Sequence, residues 1–460
     1  MGRKCQPQQH ELFPPATSRG EAHGRASRGK RPAAAPGHER PATPKRLMEE
    51  ICEPANLKRA LRRVVKNKGS PGVDGMTVEK LPDYVWKHWD SLRSNLLHGR
   101  YEPQPVKRVE IPKPSGGMRK LGIPTVLDRF VQQAMLQVVQ RLWEPTFSDH
   151  SYGFRPGRSA HQAVAQAQQH IVDGYRVVVD LDLEKFFDQV NHDMLMGRLA
   201  KRVMDKRVLK LIRRFLNAGV LEGGLISPTF EGTPQGGPLS PLLSNIFLDE
   251  LDFELERRGH RFVRYADDCN IYVRSERSGH RVMESVTHFI TRRLKLKVNS
   301  KKSAVDRPQR RKFLGFSFRK GPGFERTVSH DSLVRLRVKL RGMTQRRGGR
   351  SLQKVVEQLR SYLTGWLSYY GFAEVVSNLR HVEAWLRHRL RCLIWVQWKT
   401  SRRRLAELCK RQRSRILAER TARSSKGPWR LSGGRAANLA LPNAYFSKLG
   451  LPSLTVKRHA

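Results

Sequence analysis

The sequence predicts an α+β fold: a mixed region of strands and helices, about 51–325, followed by a helical region. Three observations predict it. Short runs rich in β-branched and aromatic residues recur through the first region, at Val177–Asp182, Phe262–Val273 and Arg311–Phe318. Longer apolar patterns at helical spacing are interleaved with them, as in the stretch that follows Ser240. Beyond about 325 only helical stripes remain, on segments crowded with Arg and Lys.

Residues 1–50 are rich in Pro, Gly, Ala and Arg and have almost no apolar periodicity, so a disordered basic arm is expected. Order is expected from near Ile51, where Leu57, Leu61 and Val64 or Val65 recur at helical spacing. Val177–Asp182 reads as a buried strand. Ser240 and Pro241 read as the N-cap and first residue of a helix. Its apolar positions are Leu242, Leu243, Ile246, Phe247 and Leu251, and Gly259 ends it. Arg311–Phe318 reads as a further strand. Leu352, Val355, Leu359, Leu363, Trp366 and Tyr370 then form one helical stripe, and Leu379, Val382, Leu386, Leu390 and Leu393 a second. From about 411 the chain is Arg-rich and closes with Trp429, Leu441–Phe446 and Leu449–Pro452.

Charge narrows the function. The 460 residues carry 88 Lys and Arg against 41 Asp and Glu, a net +47. Such an excess is the footprint of a nucleic-acid binder, whose affinity comes largely from counterions displaced from phosphates. An anionic membrane would also attract it. However, no run of 18 or more apolar residues exists, and the start lacks the apolar core of a secretory signal. No membrane association and a cytoplasmic location are therefore expected. Five widely spaced cysteines (Cys5, Cys52, Cys269, Cys392 and Cys409) form no Cys-x-x-Cys pair, which points to free thiols in a reducing compartment.

Tyr265-Ala266-Asp267-Asp268 places two adjacent carboxylates between Phe262-Val263-Arg264 and Ile271-Tyr272-Val273. Asp is depleted from strands and costly to bury unless paired or metal-bound, so the pair reads as a hairpin turn aimed at something cationic. Asp182 ends the earlier strand, and Asp180 lies on the same strand face two residues before it. Strand-end and turn carboxylates at one sheet edge could hold two Mg²⁺ ions about 3.5–4 Å apart, the clamp used in phosphoryl transfer. Between them lies the loop Gly232–Pro241, whose glycines allow a ligand to approach the backbone. His161 and His192 lack metal-ligand spacing and read as structural.

Taken in order, these stretches resemble a reverse transcriptase of the bacterial group II intron-encoded type, the reverse transcriptase/maturases. The resemblance runs from about Asn67 onward. Asn67–Gly75 is similar to the family's N-terminal extension motif; Ile111–Lys120 and Ser151–Ser159 are similar to its fingers. The Asp182 strand, the Pro234-Gln235-Gly236-Gly237 loop and Tyr265–Asp268 follow in the family's palm order. The resemblance implies right-hand polymerase fingers and a palm with an antiparallel sheet over 51–325. It implies an α-helical thumb, or maturase X domain, over 326–410, and a basic DNA-binding segment over 411–460.

It also implies roles. Asp182, Asp267 and Asp268 would bind two Mg²⁺ ions, joined by the Leu183 carbonyl. Phe187 would be the steric gate that clashes with a ribonucleotide 2′-OH. Lys113 and Arg119 would hold the incoming nucleotide's phosphates, with Gln235 and Gly236 lining its pocket. Lys302, or its neighbour Lys301, would protonate leaving pyrophosphate. Arg155 and Arg158 would contact the template backbone, and Asp188 would make a structural hydrogen bond.

Ser361–Phe372 resembles the central thumb helix, and the segment from about 411 resembles that of the class C subgroup. Neither residues nor Cys/His pairs remain for the endonuclease module of many relatives, which implies insertion without second-strand cutting. The implied function is RNA-directed DNA synthesis on dNTPs from a DNA primer, together with assistance to splicing of the chain's own intron RNA and its copying into a DNA target. A non-catalytic RNA-folding maturase would need damaged carboxylates, and all three are intact. A CRISPR-associated or diversity-generating reverse transcriptase is disfavoured by the thumb helix and C-terminal segment.

Overall fold

A computed structural model describes residues 46–112, 117–222, 225–227, 231–233, 236–345, 349–412 and 414–455. The expected arm lies outside them up to residue 45, and Lys113 and Gln235 also lie outside them. Among the described residues the first helix is Leu47–Ile51, slightly before the start expected near Ile51, with Leu47, Met48 and Ile51 all buried.

Among the described residues ten strands form three sheets: β1 Val106–Pro112, β2 Met118–Ile123, β3 Val177–Leu181, β4 Val220–Glu222, β5 Leu225–Ser227, β6 Arg261–Tyr265, β7 Asp268–Val273, β8 Ala304–Asp306, β9 Phe316–Phe318 and β10 Arg326–Val328. Their orders are β2-β1-β4-β5, β6-β7-β3-β8 and β10-β9. In the first, β1 pairs antiparallel with β2, setting Ile111 opposite Arg119, and runs parallel to β4. In the second, β6 and β7 form a hairpin whose turn is Ala266-Asp267. The strand expected over Arg311–Phe318 is shortened to β9, because Leu314 takes a left-handed φ of 50° that extended pairing does not allow.

The described residues fold as two compact units, one built from those up to residue 159 with those of 180–271 and 280–304, the other from 160–179, 272–279 and the described residues from 305 onward. In the first, the helices Pro54–Lys66 and Val126–Trp143 bury Leu57, Leu61 and Val64 together with Phe130, Met135 and Val138. Asn56 joins them by donating to the Ala134 carbonyl at 3.1 Å. The helix Ser240–Arg257 starts one turn position earlier than its sequence suggests: Leu239 holds the cap position without a side-chain bond, and Ser240 is already helical. Gly259 closes it as expected, its N–H donating to the Glu256 carbonyl at 2.8 Å.

In the second unit, the stripes form the helices Leu352–Tyr370 and Ser377–Gln397. They bury Val355, Leu359 and Leu363 in the former, and Leu379, Val382, Leu386, Leu390 and Leu393 in the latter. His161 stacks on Phe372 with ring centroids 4.5 Å apart. The Arg-rich end folds into short helices, Arg415–Ala422, Pro428–Ser432, Arg435–Ala440 and Asn443–Lys448. Cys52, Cys269, Cys392 and Cys409 are free thiols. Among the described residues no helix is long and apolar enough to cross a membrane.

Candidate active site

The carboxylates lie where β3 ends and the β6–β7 hairpin turns, within the first unit. Asp182 follows the last residue of β3. Its backbone is fixed by Asn299, whose N–H donates to the Asp182 carbonyl at 2.8 Å, and by its own N–H, which donates to Ser303 Oγ at 3.0 Å. Leu183 continues this pairing as an isolated antiparallel bridge with Val298. Lys302 Nζ stands 3.4 Å from Asp182 Oδ2, which places the predicted lysine against the predicted carboxylate. Asp180 is engaged differently: with the Asn270 amide oriented to satisfy both groups, its Nδ2 donates to Asp180 Oδ1 at 2.9 Å.

Asp267 and Asp268 are electrostatically coupled to that strand end. Asp268 keeps a solvent-exposed edge, yet its carboxyl is pushed up to about 7. Desolvation by the surrounding protein is the largest cause, followed by the charges of Asp267, Asp180 and Asp182, with Lys302 opposing them. Asp267 is also raised, first by burial and then by Asp182, against a backbone hydrogen bond, Arg119 and Arg264. Arg119, exposed on β2, therefore acts on Asp267. Hard oxygen donors whose like charges disfavour one another suit a divalent cation, which would remove that repulsion. Among the described residues no three His, Cys, Asp or Glu side chains stand close enough to encircle a metal as they are; Asp182 is paired with Lys302 instead.

The glycine loop closes on the same region. The Thr233 N–H donates to the Phe187 carbonyl at 2.6 Å, and His192 Nε2 bonds the Gly232 carbonyl at 2.6 Å, which gives that histidine the structural role expected of it. Phe187 is half-buried in the short helix Phe186–Gln189, edge-on to Phe186. Gly236, at φ 142°, lies so close to β2 that a Cβ there would sit 2.4 Å from the Gly122 carbonyl oxygen. Only glycine fits that approach. Arg119, Phe187, Gly236 and the three aspartates thus belong to one neighbourhood of the first unit.

The remaining arginines behave differently from one another. Arg155, expected at the template backbone, is instead buried, its guanidinium spent on the Glu144 carboxylate at 3.0 Å and on the carbonyls of Ser148 and Ser151. Arg158 pairs with Asp149 and lies over the Tyr152 ring, 5.5 Å from its centroid.

The pattern of residues in sequence does not reveal a clamp beneath the turn. Arg264 is fully buried; it donates to both carboxylate oxygens of Asp252, and to Asn245 Oδ1, Ser151 Oγ and the Ala266 carbonyl, the last at 2.8 Å. It thereby holds Ala266 in its left-handed conformation, φ 57°. Gly153 abuts the same residue: a Cβ on it would lie 2.3 Å from the Ala266 nitrogen. The available signal was an arginine inside an apolar strand, which must find an acid partner when buried.

Residues 111–318 match the family model "Reverse transcriptase (RNA-dependent DNA polymerase)", and residues 333–411 match "Group II intron, maturase-specific domain". Protein YkfC of Escherichia coli is 42% identical over 219 residues, 46% of this chain and 58% of that protein. Group II intron-encoded protein LtrA of Lactococcus lactis is 30% identical over 347 residues, 60% of this chain and 56% of that one. The chain therefore spans less than two thirds of either relative. Reverse transcriptases use divalent metal ions, in keeping with the carboxylate chemistry above. With a polymerase-family match followed by a maturase-domain match, the chain is similar to the group II intron-encoded reverse transcriptases.

Proposed function

We propose that the chain is an RNA-directed DNA polymerase that binds its own group II intron RNA, assists its splicing and copies it into a DNA target. The observation that carries the reading is the mutual coupling of Asp182, Asp267 and Asp268 beside Arg119 and Lys302. Two Mg²⁺ ions held by these aspartates and the Leu183 carbonyl would supply charge neutralisation at the α-phosphate of a dNTP. Arg119, joined by Lys113, holds the nucleotide's phosphates by charge-assisted hydrogen bonds. Gly236 and Gln235 let the nucleotide approach the backbone, and Phe187 rejects a 2′-OH by its bulk. Lys302 is the acid for leaving pyrophosphate, its ammonium already beside Asp182. Arg158 steadies the template, and Arg155 shapes the loop from which it projects.

In this reading 51–325 are fingers and palm and 326–410 the thumb. The basic segment 411–460 grips target DNA, and the protein works in the cytoplasm on the nucleoid. Primer extension on an RNA template with dNTPs tests it. Wild type should synthesise DNA only with Mg²⁺, and Asp267→Ala should lose synthesis while retaining intron RNA binding. Equal extension by both proteins would overturn the assignment.

A further inference from the structure

Phe154 combines two features that folding disfavours. The residue is 55% exposed, and its backbone holds a left-handed φ of 57°, a region that bulky residues avoid. The neighbours leave it no freedom to relax. Before it, the Tyr152 N–H donates to the Arg264 carbonyl at 2.9 Å. Asn245 Nδ2 donates to the Gly153 carbonyl at 2.8 Å, while Gly153 itself is wedged against Ala266. After it, the buried Arg155 ties the loop to the Ser148 and Ser151 carbonyls and to Glu144. The strain is thus imposed by a rigid frame, and its result is an aromatic face held in solvent.

That face has a definite position. The Phe154 and Tyr265 ring centroids lie 6.2 Å apart at 45°, and Tyr265 directly precedes the turn that carries Asp267 and Asp268. The tilt and spacing leave no slot between the two rings, so a planar ligand meets the outer face of Phe154. An uncharged aromatic surface offers no phosphate contact; it suits a π-face. We infer that Phe154 is a stacking platform for a nucleobase of the primer–template duplex next to the carboxylates, buttressed by Tyr265. Stacking of this kind tolerates any base. The inference rests on the polymerase reading for the identity of the duplex.

The test compares wild type with Phe154→Gly, Phe154→Ala and Phe154→Trp, reading duplex binding by fluorescence anisotropy, primer extension and thermal melting in parallel. Glycine takes a left-handed φ without strain, so Phe154→Gly should melt above wild type. The same variant should bind an RNA–DNA primer–template roughly tenfold more weakly. Its KM for that duplex should rise to match, and kcat should stay near wild type. Tryptophan should restore binding. On a duplex with an abasic pair at the primer terminus, wild type and Phe154→Gly should bind alike. Wild-type binding by Phe154→Gly, or a loss that persists on the abasic duplex, would overturn the platform. Failure of wild type itself to extend the primer would instead strike the polymerase reading, with the binding comparison still deciding the role of Phe154.

Discussion

At neutral pH the Asp268 carboxyl stands near its titration midpoint of about 7, whereas the same group in an unfolded chain titrates near 3.8. Between about pH 4 and 7 the folded protein therefore keeps a proton that the unfolded chain has released. The stability present below pH 4 is withdrawn as pH rises to 7 and is level above it. Asp267 adds in the same direction. Because Asp268 has an exposed edge, solvent screening reduces the effect to about 1 kcal/mol. Asp268→Asn should remove it: without metal, the variant should melt above wild type at pH 8 and match it at pH 4. Added Mg²⁺ should raise the wild-type melting temperature more at pH 8 than at pH 5, and should leave the variant nearly unmoved. Equal melting of wild type and variant at pH 8 in a chelator would refute the carboxylate repulsion.

At the scale of elements, the hairpin depends on Arg264. Removing this guanidinium leaves Asp252 buried and unpaired, so Arg264→Met should cost about 3–5 kcal/mol in denaturant unfolding. Pairing it with Asp252→Leu should restore most of that stability. Extension activity should nevertheless stay low, since the Ala266 carbonyl has lost its donor. Recovery of both would show that the ion pair only fills the core. Gly153→Ala should also reduce extension, because its methyl group meets backbone rather than a flexible side chain.

The carboxylates were legible in sequence because Asp inside an apolar strand is rare enough to be noticed. The clamp was not, since its partners Ser151, Asn245 and Asp252 lie on separate elements and carry no shared spacing. The long helices followed their stripes, as Leu379 through Leu393 show. The strand at 311–318 came out short because side-chain pattern does not encode the positive φ of Leu314. Phe154 escaped for the same reason: its exposure and strain are backbone facts.

For the molecule as a whole, charge dominates. With 88 cationic side chains against 41 acidic ones, the ion pairs among Arg and Glu leave a large cationic excess unneutralised. Intron RNA binding should accordingly weaken by about 10³–10⁵ between 50 and 200 mM salt if six to ten phosphates are contacted. Asp267→Ala should leave that slope unchanged, because it removes an anion outside the phosphate contacts. A flat dependence in filter binding would contradict phosphate-led affinity.

The interleaving of the two units in sequence bears on how the chain is made. The second unit needs 160–179 and 272–279, yet closes only with residues from 305 onward. During synthesis those two segments must wait, unsatisfied, while more than a quarter of the chain still has to emerge. A fragment cut at residue 318, where the polymerase match ends, would strand them permanently. The linear border between the two family domains is therefore a poor place to divide the gene, and a nascent chain stalled there is a natural client for chaperones.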